Sequence, residues 1–212
     1  GARIGVARNL AGFNPDVDRA FDEAIAALRN AGAIIVDPAN LPTAGKYAAA
    51  EGIVLDYEFK AGLNAYLAAR GDASVKDLAA LIAWNEREAA REMPWFGQEI
   101  FIRAQKCGRL TDKKYLDARA TCIRLSRTQG LDAVMARHRL DAIVLPSNQP
   151  AWTTDLLNGD HYTGGDTSFA AVAGYPSVTV PMGLVHELPV GLSFIGKAWA
   201  EATVLKYAYA FE

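Results

Sequence analysis

The side chains best suited to chemistry fall in one stretch, residues 147–165, where Trp152, Asp155, Asn158, Asp160, His161 and Tyr162 stand close together. Aromatic faces, carboxylates, an amide and an imidazole on one connection can shape a pocket for an amide or a peptide. The same residues also read as a long connection pinned by Trp152 and Tyr162, and the sequence leaves both readings open. Asp160 and His161 are adjacent and have no identifiable serine partner, so the expected role is substrate lining rather than proton transfer.

Other chemistry-bearing residues do not converge. On a helix, Glu51 and Asp56 lie about 140° apart and Asp56 and Glu58 about 200° apart, so no pair faces a common point. They read as surface carboxylates, with Glu58 available to brace a neighbouring element. His138 stands where a helix gives way to a strand and suits a capping or surface role. Cys107 and Cys122 form no CxxC, and Cys122 reads as a small buried side chain. His138, His161 and His186 are too scattered for a metal site. The opening Gly1-Ala2-Arg3-Ile4-Gly5 lacks GxGxxG, and the turn after it lacks a phosphate-binding lysine. No catalytic residue, cofactor or metal is therefore assigned.

The elements that would carry the loop are legible. Residues 3–7 are β-prone, and Asn14-Pro15-Asp16 gives a helix start with its cap, a proline in the first turn and acids at the positive end. Val17, Phe21, Ala24, Ile25 and Leu28 repeat at helical spacing, Gly32 ends the helix, and residues 33–36 form the next strand of a parallel crossover. Residues 44–140 are mostly helical by pattern. Leu55, Phe59, Leu63 and Leu67 recur at about every fourth residue, Ser74 with Asp77 resembles a capping box, and Gly130 marks a joint. Residues 142–145 form a strand that ends at Pro146 and feeds the candidate loop. In an open α/β sheet, ligands collect beyond strand carboxyl ends. Beyond the loop, Asp166, Thr167 or Ser168 can cap a short helix from about Phe169 that Gly174 closes. Strands follow at residues 177–180, ended by Pro181, and at residues 191–195, and a closing helix covers residues 201–212. The fold class is α/β, with a mixed or mostly parallel sheet and helices packed around it.

The run Ala-Gly-Tyr-Pro-Ser-Val-Thr-Val-Pro-Met-Gly at residues 173–183 and Leu-Pro-Val-Gly-Leu-Ser-Phe-Ile-Gly at residues 188–196 resemble the C-terminal signature of the amidase signature family. Arg-Ile-Gly-Val-Ala at residues 3–7, Leu-Asp-Tyr-Glu-Phe-Lys at residues 55–60 and Leu-Asp-Ala-Ile-Val-Leu-Pro at residues 140–146 resemble it in the same order, most closely its peptide-amidase branch. The resemblance implies an amide hydrolase built on a serine nucleophile, a second serine with a cis peptide bond and a lysine base. No Gly-Ser-Ser-Gly run occurs in the chain. The resemblance thus implies a C-terminal portion of the fold, residues 1–212 as one domain, without the N-terminal catalytic region.

Composition fits a globular chain. It has 212 residues, 51% hydrophobic and 22% charged, with a formal net charge of -2. Neither a nucleic acid nor a membrane is expected as partner, since there is no basic excess and no apolar run of spanning length. The expectation is a soluble chain, with the cytoplasm slightly preferred. Taken with the resemblance, the leading reading is a scaffold and substrate-pocket portion of a serine-dependent amidohydrolase, inactive alone. Its expected partners are the missing N-terminal portion and, in the complete protein, an amide or peptide-amide substrate; self-association is expected of the isolated piece. The alternative is a non-catalytic binding or structural domain. A third reading, an independent hydrolase using Ser168 with His161, lacks a nucleophile elbow and an oxyanion signature.

Overall fold

The computed structural model describes residues 1–71, 74–165 and 167–212. In chain order the elements are β1 (Arg3–Val6), α1 (Pro15–Asn30), β2 (Ile34–Val36), α2 (Ala48–Ala69), α3 (Leu78–Arg87), α4 (Ala89–Glu92), α5 (Glu99–Gln105) and α6 (Lys113–Ile123). The stretch Arg124–Leu131, kinked at Gly130 where φ is -106° and ψ -108°, leads into α7 (Asp132–His138), β3 (Ala142–Pro146), α8 (Ser168–Ala173), β4 (Ser177–Val185), β5 (Leu188–Ile195) and α9 (Glu201–Phe211). The chain divides into two compact units, one formed by Gly1–Tyr47 with Ile123–Glu212 and the other by Ala48–Cys122.

The first unit holds the sheet, in the order β2-β1-β3-β5-β4. The pairs β1/β2 and β1/β3 are parallel, whereas β3/β5 and β4/β5 are antiparallel. All five expected strand segments lie in this one mixed sheet, and the α/β class stands. β3 is buried along its whole length, and its alternation divides two cores. Ile143 and Leu145 pack with Leu131, Met135, Phe169, Tyr47 and Ile195 on one face. On the other, Val144 joins Ile4, Val6 and Phe194 under Phe21, Ile25 and Leu28 of α1 and Val204 and Ala208 of α9. The sheet therefore carries helices on both faces.

Local chemistry explains the boundaries. Asn14 Oδ1 accepts hydrogen bonds from the Asp16 and Val17 amides at 2.9 and 3.2 Å, and Pro15 occupies the first turn of α1, as the sequence predicts. The predicted apolar face of Val17, Phe21, Ala24, Ile25 and Leu28 is buried. Gly174, at φ 64°, closes α8 in the left-handed conformation. Thr167 stands at the N-cap of α8 without a side-chain cap bond, and the Asp166 alternative lies outside the described residues.

Three boundary expectations are corrected. β4 does not stop at Pro181 but runs on to Val185, through an irregularity between Pro181 and Gly183. It is an edge strand, where a proline without an N–H costs no ladder bond. β5 begins at Leu188 rather than at residue 191, so β4 and β5 are joined by a tight hairpin turning on His186 and Glu187, at φ 48° and 66°. Two positive φ values match the right-handed strand twist, although neither residue is a glycine. At α3, Asp77 is the cap rather than Ser74: its Oδ1 accepts from the Ala80 amide at 2.8 Å.

The second unit is helical. Its long helix α2 buries Tyr57 and Leu67, while Leu55 is exposed. The carboxylates of α2 are spent on separate partners. Asp56 accepts a paired bond from Arg103 Nε and Nη2 at 2.6 and 2.9 Å, and Glu58 accepts from the Tyr115 hydroxyl at 2.7 Å. Glu58 thus braces α6, and its bond is the first cause of the raised Tyr115 pKa. Among the described residues no helix is long and apolar enough to cross a membrane.

Two substitutions test the account of the sheet unit. Phe194→Ala removes a fully buried ring and is expected to lower stability by about 3–5 kcal/mol in chemical denaturation. Asn14→Ala, which removes only the cap of α1, is expected to cost about 1 kcal/mol. Equal losses in the two variants would contradict the assignment of Phe194 to the core.

Candidate functional site

The candidate loop starts where β3 ends. The Ser147 amide donates to the Gly191 carbonyl at 2.8 Å, extending the β3/β5 pairing one residue past Pro146. Beside it three hydroxyls meet. Ser147 Oγ and Ser193 Oγ are 2.7 Å apart, Thr179 Oγ1 and Ser193 Oγ 2.9 Å, and Ser147 Oγ and Thr179 Oγ1 3.4 Å. The register supplies this, because Thr179 and Ser193 are cross-strand partners and Leu145 pairs with Ser193 from the other side. Gly191 leaves the room: a Cβ there would stand 2.6 Å from Thr179 Cγ2 and 2.9 Å from Ser147 Oγ. Three hydroxyls bring three protons. The two short contacts use two of them, which leaves the third for the long contact or for an external acceptor. Sequence reasoning missed this cluster. Its signal was Thr179 and Ser193 on neighbouring strands, but their register follows from a turn at His186 and Glu187, where no glycine marks it.

Within the loop the residues singled out from sequence fall into two groups. Trp152 and Tyr162 meet edge to face with ring centroids 6.1 Å apart, and Trp152 Nε1 donates to Asp160 Oδ1 at 3.3 Å. The Tyr162 hydroxyl donates to the Gly165 carbonyl at 2.9 Å. Asp155 and Asn158 form the second group. Asp155 Oδ1 accepts from the Leu157 and Asn158 amides, each at 2.9 Å, and Oδ2 accepts from Asn158 Nδ2 at 2.9 Å. This is an Asx turn closed on itself. The Asn158 amide, then its side chain, then the Leu157 amide hold the Asp155 carboxyl below its ordinary pKa. His161 is brought into the loop framework through its backbone, since its carbonyl accepts from Gln149 Nε2 at 2.7 Å. Trp152, Tyr162 and Asp160 are exposed.

The residue that ties the groups together, Gln149, carried no expectation. It is one of few buried polar side chains among the described residues, and sequence marks it only as a polar residue three positions beyond the end of β3 at Pro146. Elsewhere, His138 contributes its carbonyl, which accepts from Arg3 Nε and Nη2 at 3.3 and 3.2 Å, at the left-handed end of α7. Cys122 is buried, and desolvation raises its thiol pKa. Among the described residues no group of His, Cys, Asp and Glu is arranged to hold a metal ion.

Comparison with known proteins places this geometry. The Amidase family model matches residues 1–205. A peptide amidase in complex with the competitive inhibitor chymostatin superimposes with a TM-score of 0.92 at 41% identity, covering 100% of this chain and 43% of that one. The native peptide amidase from Stenotrophomonas maltophilia gives 0.90 at 41% identity, over 100% of this chain and 42% of that one. Among curated proteins, "Probable amidase At4g34880" of Arabidopsis thaliana is 33% identical over 198 residues, 91% of this chain and 35% of its own length. The chain thus spans less than half the length of these relatives.

These findings correct four linked expectations: a C-terminal portion lacking its catalytic region, a scaffold inactive alone with a non-catalytic domain as its alternative, the uncertain enzyme status, and the missing N-terminal portion with self-association as partners. The family model matches residues 1–205, and two peptide amidases, one of them in complex with a competitive inhibitor, superimpose over 100% of this chain at 41% identity. Within the sheet unit α1 and α9 pack on one face of the sheet and α7 and α8 on the other, while β4 is an edge strand. A match over residues 1–205, identities above 40% along the chain and a shared fold lead to one statement: the chain belongs to the amidase family.

Proposed function

We propose that this chain serves in the hydrolysis of carbon–nitrogen bonds of amides, with C-terminally amidated peptides as the substrate class. The observation that carries the reading is the 41% identity, at a TM-score of 0.92 over 100% of this chain, to a peptide amidase that binds a competitive inhibitor. In such chemistry an activated hydroxyl attacks the amide carbonyl, oriented donors hold the oxyanion, ammonia leaves and water frees the acyl group. The part proposed for residues 147–165 is to receive the peptide. Trp152 and Tyr162 offer apolar faces, and Asp160 and His161 offer polar groups beside them. Asp155 and Asn158 shape the same wall through their closed turn. Its position after the carboxyl end of β3 supports this role. A single domain over residues 1–212 and a cytoplasmic setting belong to the same proposal. One cooperative transition, identical by near- and far-ultraviolet circular dichroism, is the expected sign of the single domain, and two separate transitions would refute it.

The test of the activity is ammonia release by the intact polypeptide that carries this chain, with an amidated dipeptide and a small aliphatic amide as substrates. Release from the dipeptide amide, competitively inhibited by chymostatin, is expected. Turnover of the aliphatic amide alone would overturn the substrate class, and turnover of neither would overturn the activity. Trp152→Ala is expected to raise KM for the dipeptide amide about tenfold, roughly 1.4 kcal/mol, with a smaller change in kcat. An unchanged KM would remove Trp152 from the peptide-binding wall.

A further inference from the structure

Gln149 is 8% exposed and stands near the start of the loop, yet both polar atoms of its side chain are engaged with the far end of that loop. Its Oε1 accepts from the Thr163 amide, from Thr163 Oγ1 at 2.6 Å and from the Gly164 amide at 3.2 Å. Its Nε2 donates to the His161 carbonyl at 2.7 Å, and its own amide donates to the Gly164 carbonyl at 3.1 Å. One side chain therefore bonds three consecutive or near-consecutive residues, 161, 163 and 164, and closes the intervening chain into an Ω-like loop. The glycines allow the closure. A Cβ on Gly165, which sits at φ 142°, would come 2.4 Å from Asn148 Oδ1, and a Cβ on Gly164 would come 2.4 Å from the Phe13 ring.

We propose that Gln149 is a positioning residue for peptide recognition: by clamping residues 161–164 it fixes where Asp160, His161 and Tyr162 stand against Trp152. The assignment follows from the order of the contacts. Gln149 holds the backbone immediately after Asp160, and Asp160 is the residue that accepts from the Trp152 indole. Tyr162, which meets the Trp152 ring, lies between His161 and Thr163, whose backbone groups Gln149 binds. Releasing the clamp would free that segment without altering any group that faces outward. An amide is suited to this task, because a carboxamide accepts more than one hydrogen bond at its oxygen and donates from its nitrogen without carrying charge. Burial of the same pattern with a carboxylate would set an oxygen against the His161 carbonyl, and an apolar side chain would leave the Thr163 and Gly164 amides without their acceptor.

This inference rests on the proposed function, and the experiment separates the two. Gln149→Met keeps the length and removes every side-chain bond; Gln149→Glu keeps the acceptor for Thr163 and Gly164 and removes only the donation to His161. Hydrogen exchange over residues 150–163 is expected to quicken by about tenfold or more in Gln149→Met, and by less in Gln149→Glu, while exchange in β3 and β5 stays as in the parent. In ammonia-release assays, KM for the dipeptide amide is expected to rise about tenfold in Gln149→Met with a much smaller change in kcat. Unchanged exchange in the loop of Gln149→Met would overturn the clamp. Quickened exchange with an unchanged KM would overturn its role in recognition, as would equal losses of kcat for the dipeptide amide and the aliphatic amide. A parent protein without amide turnover would overturn the proposed function instead, and the exchange comparison would still decide the clamp.

Discussion

The sheet unit depends on the burial of β3. Its five residues, Ala142–Pro146, are all buried, and it pairs in parallel with β1 on one side and antiparallel with β5 on the other. A strand placed this way has no face left for water, so its residues read as a continuous apolar run instead of an alternating one. Its backbone groups are satisfied only by keeping both neighbours in register. Side chains alternate into the two cores, and a one-residue slip would exchange Val144 for Ile143 and Leu145 against the helices that cover each face. The end of β3 is fixed as a consequence, and with it the place where the chain leaves the sheet at Ser147.

That constraint also explains why the hydroxyl cluster and the loop lie together. Ser193 faces Leu145 across one ladder and Thr179 across the other, so the antiparallel register that secures β3 brings Thr179 and Ser193 beside Ser147. Gly191, without a side chain, lets the three approach. Polar groups thus gather at the rim of an otherwise apolar sheet. This is where an open α/β sheet can be chemically specific without weakening its core.

Much of this was legible in the sequence because it is local. The Asn14-Pro15-Asp16 start of α1, the left-handed Gly174 and the apolar strand segments each follow from a few adjacent residues; the first two stand where expected, and every expected strand segment is a strand, although β4 runs on to Val185 and β5 begins at Leu188. The illegible parts depend on partners distant in sequence or on a tertiary override. Pro181 reads as a strand end, yet the edge position of β4 leaves its missing N–H without a cost. His186 and Glu187 carry no glycine signal, yet the pairing of β4 with β5 holds both at positive φ. In the candidate loop, composition singled out Trp152, Asp155, Asn158, Asp160, His161 and Tyr162, and it could not separate the Asx turn of Asp155 and Asn158 from the outward group of Trp152, Asp160 and Tyr162. Gln149 was invisible because its contacts lie 12 to 15 residues away.

The loop admitted two readings from sequence, a pocket wall or a pinned connection, and physically the two are not rivals. Ordering a residue's backbone costs roughly 1–2 kcal/mol, so a loose segment of this length would lose much of any gain from peptide contacts in becoming ordered. A segment already held by Gln149, by the Tyr162 bond to Gly165 and by the Asp155 turn has met that cost during folding. Whatever it then contacts, it contacts with less entropy left to lose. Pinning is what would make aromatic and carboxylate groups on a connection selective, and the pins in this loop, Gln149, the Tyr162 hydroxyl and the Asp155 carboxylate, leave the Trp152 and Tyr162 rings turned to its surface.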